Sequence, residues 1–341
     1  MRLIDMHCDT VFELFRRRNT KLKPDVFCAE MESAQNSLHG DMDLGKNSLC
    51  VDIEKMKKAD SMAQFFACFI YMKMFQGEDR FSKGYQYALD MISYAKEEFD
   101  KYPEEIALAK SYEELLRNER IGKMSALLTV EEGGIVENDM DRLDHLYEEG
   151  IRLMTLLWNE ENCMGYPNSR DSEVMKKGLK PFGIETVERM NELGMLIDVS
   201  HMSDGGFWDV LRYSKKPVVA SHSNARTLCN HPRNLTDEMI RALSDHGGVA
   251  GLNLYPYFIN ENGKANIDDL IRHIEHMFYV GGEDFVAIGT DFDGFDEGEL
   301  ELQNIGEMRC LYDALKKRKF NDGQIEKFWH GNAMRVIREV L

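Results

Sequence analysis

The chain has 341 residues, of which 42 are basic and 60 acidic, so its formal net charge is −18. This balance argues against nucleic acids and anionic membranes as partners, because both are bound through a surplus of basic side chains. No apolar run approaches the ~20 residues that cross a bilayer, no secretory signal opens the chain, and seven scattered cysteines argue against a disulfide framework, so the composition predicts a cytoplasmic globular protein.

Short apolar runs separated by helix-like segments follow one another along the whole chain. The runs are rich in Ile, Val, Leu and Phe without polar alternation, which is typical of strands that are covered on both faces. Eight runs are predicted as strands: residues 3–7, 64–71, 124–130, 151–157, 195–199, 217–221, 248–254 and 285–289.

Helix start and stop signals stand between these runs. Ser111 lies three residues before Glu114, which is the spacing of a capping box, and Gly194 follows a helical segment as a stop signal. Strand and helix alternate about eight times, which is the pattern of a (β/α)8 barrel. A doubly wound open sheet is the alternative, but no GxGxxG motif opens a helix in this sequence.

Three segments stand outside this repeat, within one predicted domain that covers residues 1–341. Residues 19–52 are polar and irregular, and we interpret them as an insertion after the first strand and helix. Residues 159–180 follow the fourth strand and are interpreted as a long active-site loop. Residues 322–341 are predicted to form closing helices.

Candidate functional residues lie at the carboxyl ends of the strands, where barrel enzymes place their chemistry. The first strand ends in His7 and Asp9. Because residues i and i+2 face the same side of a strand, both side chains can point to one place in the mouth of the barrel. His201 and His222 follow the fifth and sixth strands, so two further imidazoles are expected at the same end.

One carboxylate at the end of the third strand, from Glu131 or Glu132, would complete a set of five nitrogen and oxygen ligands. Five such ligands exceed the needs of one zinc ion and suit two metal ions that share a carboxylate. The absence of cysteine ligands at these strand ends favours Zn, Mn, Fe or Co over a cysteine-type zinc site. Six other histidines, His273 among them, lie in loop-like or helix-like surroundings and are predicted to be solvated.

These residues stand within longer motifs that resemble the renal (membrane) dipeptidase family of dinuclear zinc hydrolases, in a bacterial-type form. The motifs are 5-DMHCDT-10, 132-EGG-134, 198-DVSH-201, 221-SHSNAR-226, 232-PRNL-235, 254-LYPYFI-259 and 289-GTDFDG-294, and the match extends to 331-GNAMRVI-337. The resemblance implies a (β/α)8 barrel with two zinc ions, in which Mn, Fe or Co are possible substitutes. It also implies cleavage of dipeptides, tolerance of a D-residue at the C-terminal side and, in some members, opening of β-lactams.

Site residues follow from the resemblance by position. His7 and Asp9 match the ligands of one zinc ion, and His201 and His222 match the ligands of the other. The resemblance thus assigns the two residues at the first strand end to one zinc ion and the two histidines after the fifth and sixth strands to the other.

The remaining functional roles are also implied by matching motifs. The EGG motif selects Glu132 rather than Glu131 as the carboxylate that bridges the metals and takes part in catalysis. Arg233 matches the residue that grips the substrate carboxylate, and Asp291 matches the acid/base that serves the leaving amine. Tyr255 lies in a matching segment and is expected to line the substrate pocket.

One segment departs from the family pattern. Many relatives carry a histidine at the end of strand four, whereas 154-MTLLWNEEN-162 places Trp158 there. Tryptophan can pack on a substrate and donate one N–H group, but it cannot be protonated. Transition-state stabilisation then falls to the metal ions or to a donor such as Asn159 or Asn162, so Trp158 and Asn159 are expected to contact the substrate.

The resemblance therefore implies a zinc-dependent dipeptidase that cleaves short peptides with a free C-terminal carboxylate through a hydroxide bridging two zinc ions. The implied partner is this small substrate, and a homodimer stays open because family members are often dimers. One alternative is another barrel amidohydrolase, such as a deacylase, a lactonase or a β-lactam-opening enzyme, although no strand lysine suited to carboxylation is evident. The second alternative, a non-catalytic metal-binding relative, is opposed by the intact ligand set and by Asp291.

Overall fold

Eight parallel strands close into a barrel in the computed structural model, which describes residues 1–18, 42–295 and 297–341. Each strand pairs with its neighbour in sequence order, and the first strand pairs with both the second and the eighth, so the sheet has no open edge within the barrel. The predicted (β/α)8 fold is confirmed. The strands are β1 (Leu3–Cys8), β2 (Ser61–Phe69), β3 (Met124–Glu131), β4 (Ile151–Thr155), β5 (Leu196–Asp198), β6 (Val219–Ala220), β7 (Val249–Leu252) and β8 (Val286–Ile288).

All eight predicted apolar runs overlap a strand of the barrel. Residues of β1, β2 and β3 are buried along their whole length, which explains the missing polar alternation. The bounds differ by a few residues. Polar strand ends account for part of this difference, since β2 begins at Ser61 and β3 continues to Glu131.

The interior of the barrel is filled by one apolar side chain or more from each strand, including Phe65, Leu127 and Leu153. The C-terminal helix Asn332–Val340 packs against this same cluster through Val336 and the residues beside it. A larger apolar cluster lies between the strands and the surrounding helices. The interior packing leaves the carboxyl ends of the strands as the mouth where polar residues collect.

Helices follow most strands on the outside of the barrel. Short strands outside the barrel are Ile106–Leu108, which pairs with β3, and the pair Lys264–Ala265 and Glu299–Leu300. The α-helices of the described residues are Thr10–Arg18, Ile53–Lys58, Arg80–Asp100, Tyr112–Arg120, Met140–Glu148, Ser172–Met175, Pro181–Leu193, Asp204–Tyr213, Asp237–Asp245, Pro256–Ile259, Ile267–Gly281, Met308–Lys317, Asp322–Glu326 and Asn332–Val340. No helix of the described ranges is long and apolar enough to cross a bilayer.

The predicted start of helix Tyr112–Arg120 is correct, but its cap differs from a capping box. The hydroxyl of Ser111 accepts the backbone N–H of Glu114 at 3.2 Å, as expected for an N-cap. The carboxylate of Glu114, however, accepts the N–H of Lys110 at 2.8 Å instead of that of Ser111. The helix start is therefore held by two one-way hydrogen bonds, one from the N–H of Glu114 and one from the N–H of Lys110.

Of the predicted insertion at residues 19–52, the part 19–41 lies outside the described residues. The part that follows is fixed by polar contacts to the barrel and its helices. The buried carboxylate of Glu98 accepts the backbone N–H of Leu44 at 3.0 Å, and Asp293 accepts the N–H of Cys50 at 2.7 Å. Residues 159–180, predicted as a long loop, contain the short helix Ser172–Met175.

One histidine that was predicted to be solvated is buried. His273 lies on helix Ile267–Gly281, and its side chain is covered because the loop after β6 and the short helix Pro256–Ile259 pack over it. Its Nδ1 accepts the backbone N–H of Ala225 at 3.3 Å, and its Nε2 lies 3.0 Å from the carbonyl oxygen of Ile259. His273 therefore connects the loop after β6 and the short helix Pro256–Ile259 to the outer layer of helices.

Candidate active site

Six ionisable side chains from five strands converge at the mouth of the barrel. They come from the ends of β1 and β3 and from the residues that follow β5, β6 and β8. All six are buried, and they form overlapping groups with the spacing of metal ligands. The six residues are His7, Asp9, Glu131, His201, His222 and Asp291.

Glu131 is the centre of this cluster. Its Oε1 lies 3.0 Å from Nε2 of His201 and 3.6 Å from Nε2 of His222. Its Oε2 lies 3.4 Å from Nε2 of His7. Because the two oxygens face different histidines, this carboxylate has the arrangement of a ligand shared between two metal positions.

His7 and the carboxylates around it have buried polar atoms without a partner. Nε2 of His7 lies 3.4 Å from Asp9 and 3.8 Å from Asp291, but neither contact has the geometry of a hydrogen bond. Both ring nitrogens of His7 and Oδ1 of Asp9 lack a hydrogen-bond partner among the described residues. Buried polar atoms are rarely left unsatisfied in proteins, so these atoms fit a cation.

The structure corrects the assignment of Glu132, whose carboxylate points away from the cluster. It accepts the backbone N–H groups of Gly134 at 2.8 Å and Trp158 at 3.1 Å, and the side-chain amide of Asn162 at 2.7 Å. Strand geometry explains the difference, because neighbouring residues point to opposite sides. Glu131 takes its place in the candidate ligand set.

Backbone conformation shows why the motif pointed to the wrong glutamate. Glu132 has φ 101°, a left-handed conformation that favours glycine. The β-strand ends at Glu131, and the chain turns at Glu132 into a short 3-10 helix, Gly133–Val136. The glutamate directly before the two glycines is therefore a turn residue, and the glutamate one position earlier faces the barrel mouth.

Burial and mutual repulsion shape the protonation of the cluster. Burial raises the pKa of Asp9 and of Asp291 above the usual range, and the nearby Glu131 adds to the rise. Burial would raise the pKa of Glu131 too, but His7 and His201 hold it below its usual range. The three carboxylates repel one another at this spacing, and divalent cations would offset that repulsion.

Two histidines are suited to act as neutral ligands. Burial and the charge of Arg233 lower the pKa of His201 to about 4. Burial and the proximity of His7 lower the pKa of His222 well below its usual value. Neutral imidazole is the form that binds metals, so both side chains are ready to donate a lone pair near neutral pH.

Glycine and left-handed backbone make room for the carboxylates. A Cβ atom at Gly294 would lie 2.5 Å from an oxygen of Asp291 and 2.5 Å from an oxygen of Asp9, so a larger residue would collide with both. His201 (φ 69°) and Asp291 (φ 60°) adopt left-handed conformations that non-glycine residues rarely take. Strained residues of this kind cluster at functional sites.

Hydrogen bonds on the far side of two rings direct their Nε2 atoms into the cluster. Nδ1 of His201 lies 3.0 Å from Oδ1 of Asn159. Nδ1 of His222 lies 2.8 Å from the hydroxyl of Ser221, which is itself 2.6 Å from a carboxylate oxygen of Asp198. The two Nε2 atoms face each other at 3.0 Å.

Arg233 places a buried guanidinium beside the cluster. Its Nη1 and Nη2 atoms donate to the hydroxyl of Ser223 and to the carbonyl oxygen of His222, both at 3.2 Å. Its Nε has no hydrogen-bond partner among the described residues, and the guanidinium lies 5.3 Å from the centre of the Phe258 ring. A guanidinium has five donors, so several remain available to an anionic ligand.

One carboxylate oxygen of Asp291 is fixed by a hydrogen bond, and the other is directed to the cluster. Its Oδ2 accepts the side-chain amide of Asn253 at 2.8 Å, and its backbone N–H donates to the carbonyl oxygen of His7 at 3.1 Å. Its Oδ1 faces Nε2 of His7. Asp293 accepts the hydroxyl of Thr10 at 2.5 Å and the Cys50 N–H described above.

The other predicted substrate residues lie around the rim. The half-buried ring of Trp158 packs 4.9 Å from Phe69 and 6.1 Å from the ring of His201. Tyr255 lines a cavity of about 510 Å³ that is also bordered by Tyr257 and Glu297. Asn159 is a partner of His201, and Trp158 is an aromatic side chain next to the candidate ligands.

Sequence reasoning missed the roles of three supporting residues. Asn253 fixes Asp291, Asn162 fixes Glu132, and Ser221 links His222 to Asp198. Asn253 and Ser221 stand at predicted strand ends, which is a usable signal. Asn162 lies in a loop whose path the sequence does not indicate.

Comparisons with known proteins identify the family to which the chain belongs. A family model described as membrane dipeptidase, peptidase family M19, matches residues 1–341. An uncharacterised protein from the pqqA 5′ region of Klebsiella pneumoniae is 35% identical over 221 residues, which is 62% of this chain and 80% of that protein. An uncharacterised dipeptidase of Schizosaccharomyces pombe is 32% identical over 299 residues, 84% of this chain and 71% of that protein.

Solved structures share the fold. A crystal structure of a metallopeptidase of family M19, dipeptidase AC, has a TM-score of 0.85 at 23% identity and covers 100% of this chain and 98% of its own. A metallopeptidase of Rhodobacter sphaeroides, liganded with a phosphinate mimic of the dipeptide L-Ala-D-Ala, has a TM-score of 0.83 at 21% identity. The match covers 100% of this chain and 99% of that chain. The chain belongs to the membrane dipeptidase family, peptidase family M19, and is a peptide-bond hydrolase of the metallopeptidase class.

Proposed function

We propose that this enzyme hydrolyses dipeptides with a free C-terminal carboxylate, using two divalent metal ions, zinc by analogy with the family. His7, Asp9 and Glu131 would hold one ion, and Glu131, His201 and His222 the other. The observation that carries the proposal is the convergence of these side chains on a buried point with unpartnered nitrogen and oxygen atoms. When bound, such ions lower the pKa of coordinated water and polarise the scissile carbonyl.

Arg233 would bind the α-carboxylate of the substrate. Its guanidinium is buried beside the cluster and keeps free donors, including the unpartnered Nε. A planar guanidinium pairs with a carboxylate through two parallel hydrogen bonds, which fixes the distance from the chain end to the scissile bond. This contact restricts the enzyme to very short peptides, because the carboxylate must lie one residue from the metal ligands.

Asp291 would carry a proton from the attacking water to the leaving amine. Its fixed Oδ2 keeps the carboxylate in place, while Oδ1 is directed to the cluster. Burial raises its pKa, which makes a proton easier to hold and to return near neutral pH. The absence of a titratable group at Trp158 leaves Asp291 as the acid/base residue suited to this task.

Trp158 and Tyr255 would set the walls of the substrate cleft. Trp158 presents an aromatic ring next to His201, and Tyr255 packs edge to face against Phe258, the ring that also lies under Arg233. Asn159 contributes indirectly through its contact with His201. Acceptance of a D-residue at the C-terminal position is part of the proposal and rests on membership of the family.

Hydrolysis of a matched panel tests the proposed function. The panel contains Leu-L-Ala, Leu-D-Ala, the C-terminal amides of both and the tripeptide Leu-Ala-Ala, each assayed with zinc and after chelation. We expect zinc-dependent cleavage of the free dipeptides and little cleavage of the amides or the tripeptide. Equal cleavage of amides and acids would contradict the carboxylate requirement, and no zinc-dependent cleavage of any dipeptide would contradict the function itself.

A further inference from the structure

We propose that Ser221 and Asp198 are positioning residues that fix the tautomer of His222 and thereby the affinity of one metal position. This inference rests on the proposed metal-dependent function and adds two residues to its machinery. Neither residue faces the cluster directly. They act through the Nδ1 side of the His222 ring, opposite to the Nε2 atom that faces Glu131 and His201.

The direction of the hydrogen bonds follows from the number of protons available. A carboxylate only accepts, so the hydroxyl of Ser221, 2.6 Å from Oδ2 of Asp198, must donate its one proton to it. The same hydroxyl is 2.8 Å from Nδ1 of His222 and has no second proton to give. His222 therefore carries its proton on Nδ1, and the lone pair stays on Nε2.

Asp198 is anchored independently of His222. Its Oδ1 accepts the backbone N–H groups of Ser200 at 3.0 Å and Ser221 at 2.9 Å. Its Oδ2 also accepts the hydroxyl of Thr155 at 2.7 Å. These contacts tie the ends of β4, β5 and β6 together, so the acceptor for Ser221 is held rigidly whether or not His222 is in place.

The three histidines of the site differ on the side away from the cluster. His222 is linked through a hydroxyl to a carboxylate, and His201 contacts the neutral amide oxygen of Asn159. Nδ1 of His7 has no hydrogen-bond partner among the described residues. An acceptor linked to a carboxylate raises the basicity of a ligand imidazole, so His222 depends on its outer partners more than the other two.

Thr155 provides a matched control for this relay. Its hydroxyl and that of Ser221 donate to the same oxygen of Asp198, and both residues are buried. Replacing either removes one buried hydrogen bond to Asp198, but only Ser221 also contacts His222. Both Thr155→Val and Ser221→Ala are therefore expected to lower the melting temperature of the metal-free protein, and Ser221→Ala, which also loses the contact to His222, should lower it at least as much.

Cobalt titration of the full chain tests the inference, with a chelator as competitor and the Co²⁺ absorption spectrum as a second readout. In Ser221→Ala we expect roughly 10- to 100-fold weaker binding of one of two ions, a smaller rise in melting temperature on adding cobalt and a changed spectrum. Thr155→Val should match the wild type in affinity and spectrum, and Ser221→Thr, which keeps the hydroxyl, should restore both.

The outcomes of these experiments separate the relay from the proposed function. Equal cobalt affinities and spectra in wild type and Ser221→Ala, or the same loss in Thr155→Val, would overturn the relay alone. Wild-type protein that binds no cobalt would overturn both proposals. Normal cobalt binding without cleavage of any dipeptide would overturn the substrate assignment. The relay would then still be tested by the cobalt affinities of the variants.

Discussion

Oε1 of Glu131 lies 3.0 Å from Nε2 of His201, whereas the carboxylate of the next residue, Glu132, is engaged with the backbone N–H of Trp158 at 3.1 Å. Adjacent glutamates thus have separate tasks, one facing the cluster and one fixing the turn after β3. We expect Glu131→Gln to lose at least one metal ion. Its loss of metal affinity should exceed the roughly 10- to 100-fold loss that follows substitution of the outer partners of metal ligands. Metal content after dialysis, measured by mass spectrometry, checks this.

Glu132→Gln is the matched control for that substitution. The amide cannot accept all three N–H groups that the carboxylate accepts, so the variant should be less stable by about 1–3 kcal/mol. Its metal content should remain that of the wild type. Loss of metal in the Glu132 variant with retention in the Glu131 variant would reverse the assignment of the two residues.

Arg233 should determine the requirement for a free carboxylate. We expect Arg233→Ala to lower kcat/KM on Leu-D-Ala roughly 10- to 150-fold, because a charge-assisted pair with the substrate is lost. This corresponds to about 1.5–3 kcal/mol of transition-state stabilisation. Arg233→Lys keeps the charge without the planar fork and should recover part of the loss. Unchanged kinetics of Arg233→Ala on Leu-D-Ala would remove the carboxylate contact from the account.

Asp291 should be needed for turnover and dispensable for metal binding. Asp291→Asn keeps the hydrogen-bonding shape but cannot move a proton, so we expect kcat to fall by about 10²–10⁴-fold with metal content preserved. The nearby Asp293→Asn weakens contacts to Thr10 and Cys50 and should lower stability by about 1–3 kcal/mol, with kcat retained. Loss of metal from Asp291→Asn would instead make Asp291 a ligand.

His273 should make the protein less stable in mild acid. Burial lowers its pKa to about 4 in the folded state, below the ~6.5 of an exposed histidine. The unfolded chain therefore binds a proton first as the pH falls, and stability is lost from about pH 6.5 downward. This residue alone accounts for about 2 kcal/mol between pH 7 and pH 5.

His273→Gln isolates that contribution. Glutamine can donate to Ile259 and accept from Ala225 without titrating, so the variant should show a shallower fall in unfolding free energy between pH 7 and pH 5. Denaturant unfolding of both proteins at the two pH values, under the same metal conditions, gives the comparison. An identical pH dependence would show that His273 does not carry this effect.

Much of the fold was predictable because the barrel strands are short apolar runs buried on both faces, and each predicted run overlaps a strand. The candidate ligands His7, Asp9, His201 and His222 could be located for the same reason, since they lie at or shortly after strand ends. Glu131 could not be separated from Glu132, because the choice depends on one backbone torsion at the end of β3.

Contacts that depend on loop paths were beyond the sequence. Asn159 was expected to contact the substrate, but the loop after β4 brings it to Nδ1 of His201. His273 was expected to be solvated, but two active-site loops fold over its helix and bury it. For both residues, the local sequence pattern indicates the loop or helix in which the residue lies. It does not indicate the partner, which belongs to a segment far away along the chain.

The most direct test of the account is a crystal structure of the zinc-loaded protein with anomalous diffraction at the zinc edge. We predict two anomalous peaks per chain, one bound by His7 and Asp9, the other by His201 and His222, with Glu131 contacting both. A single peak, peaks elsewhere in the molecule, or Glu132 in place of Glu131 would contradict the proposed dinuclear centre.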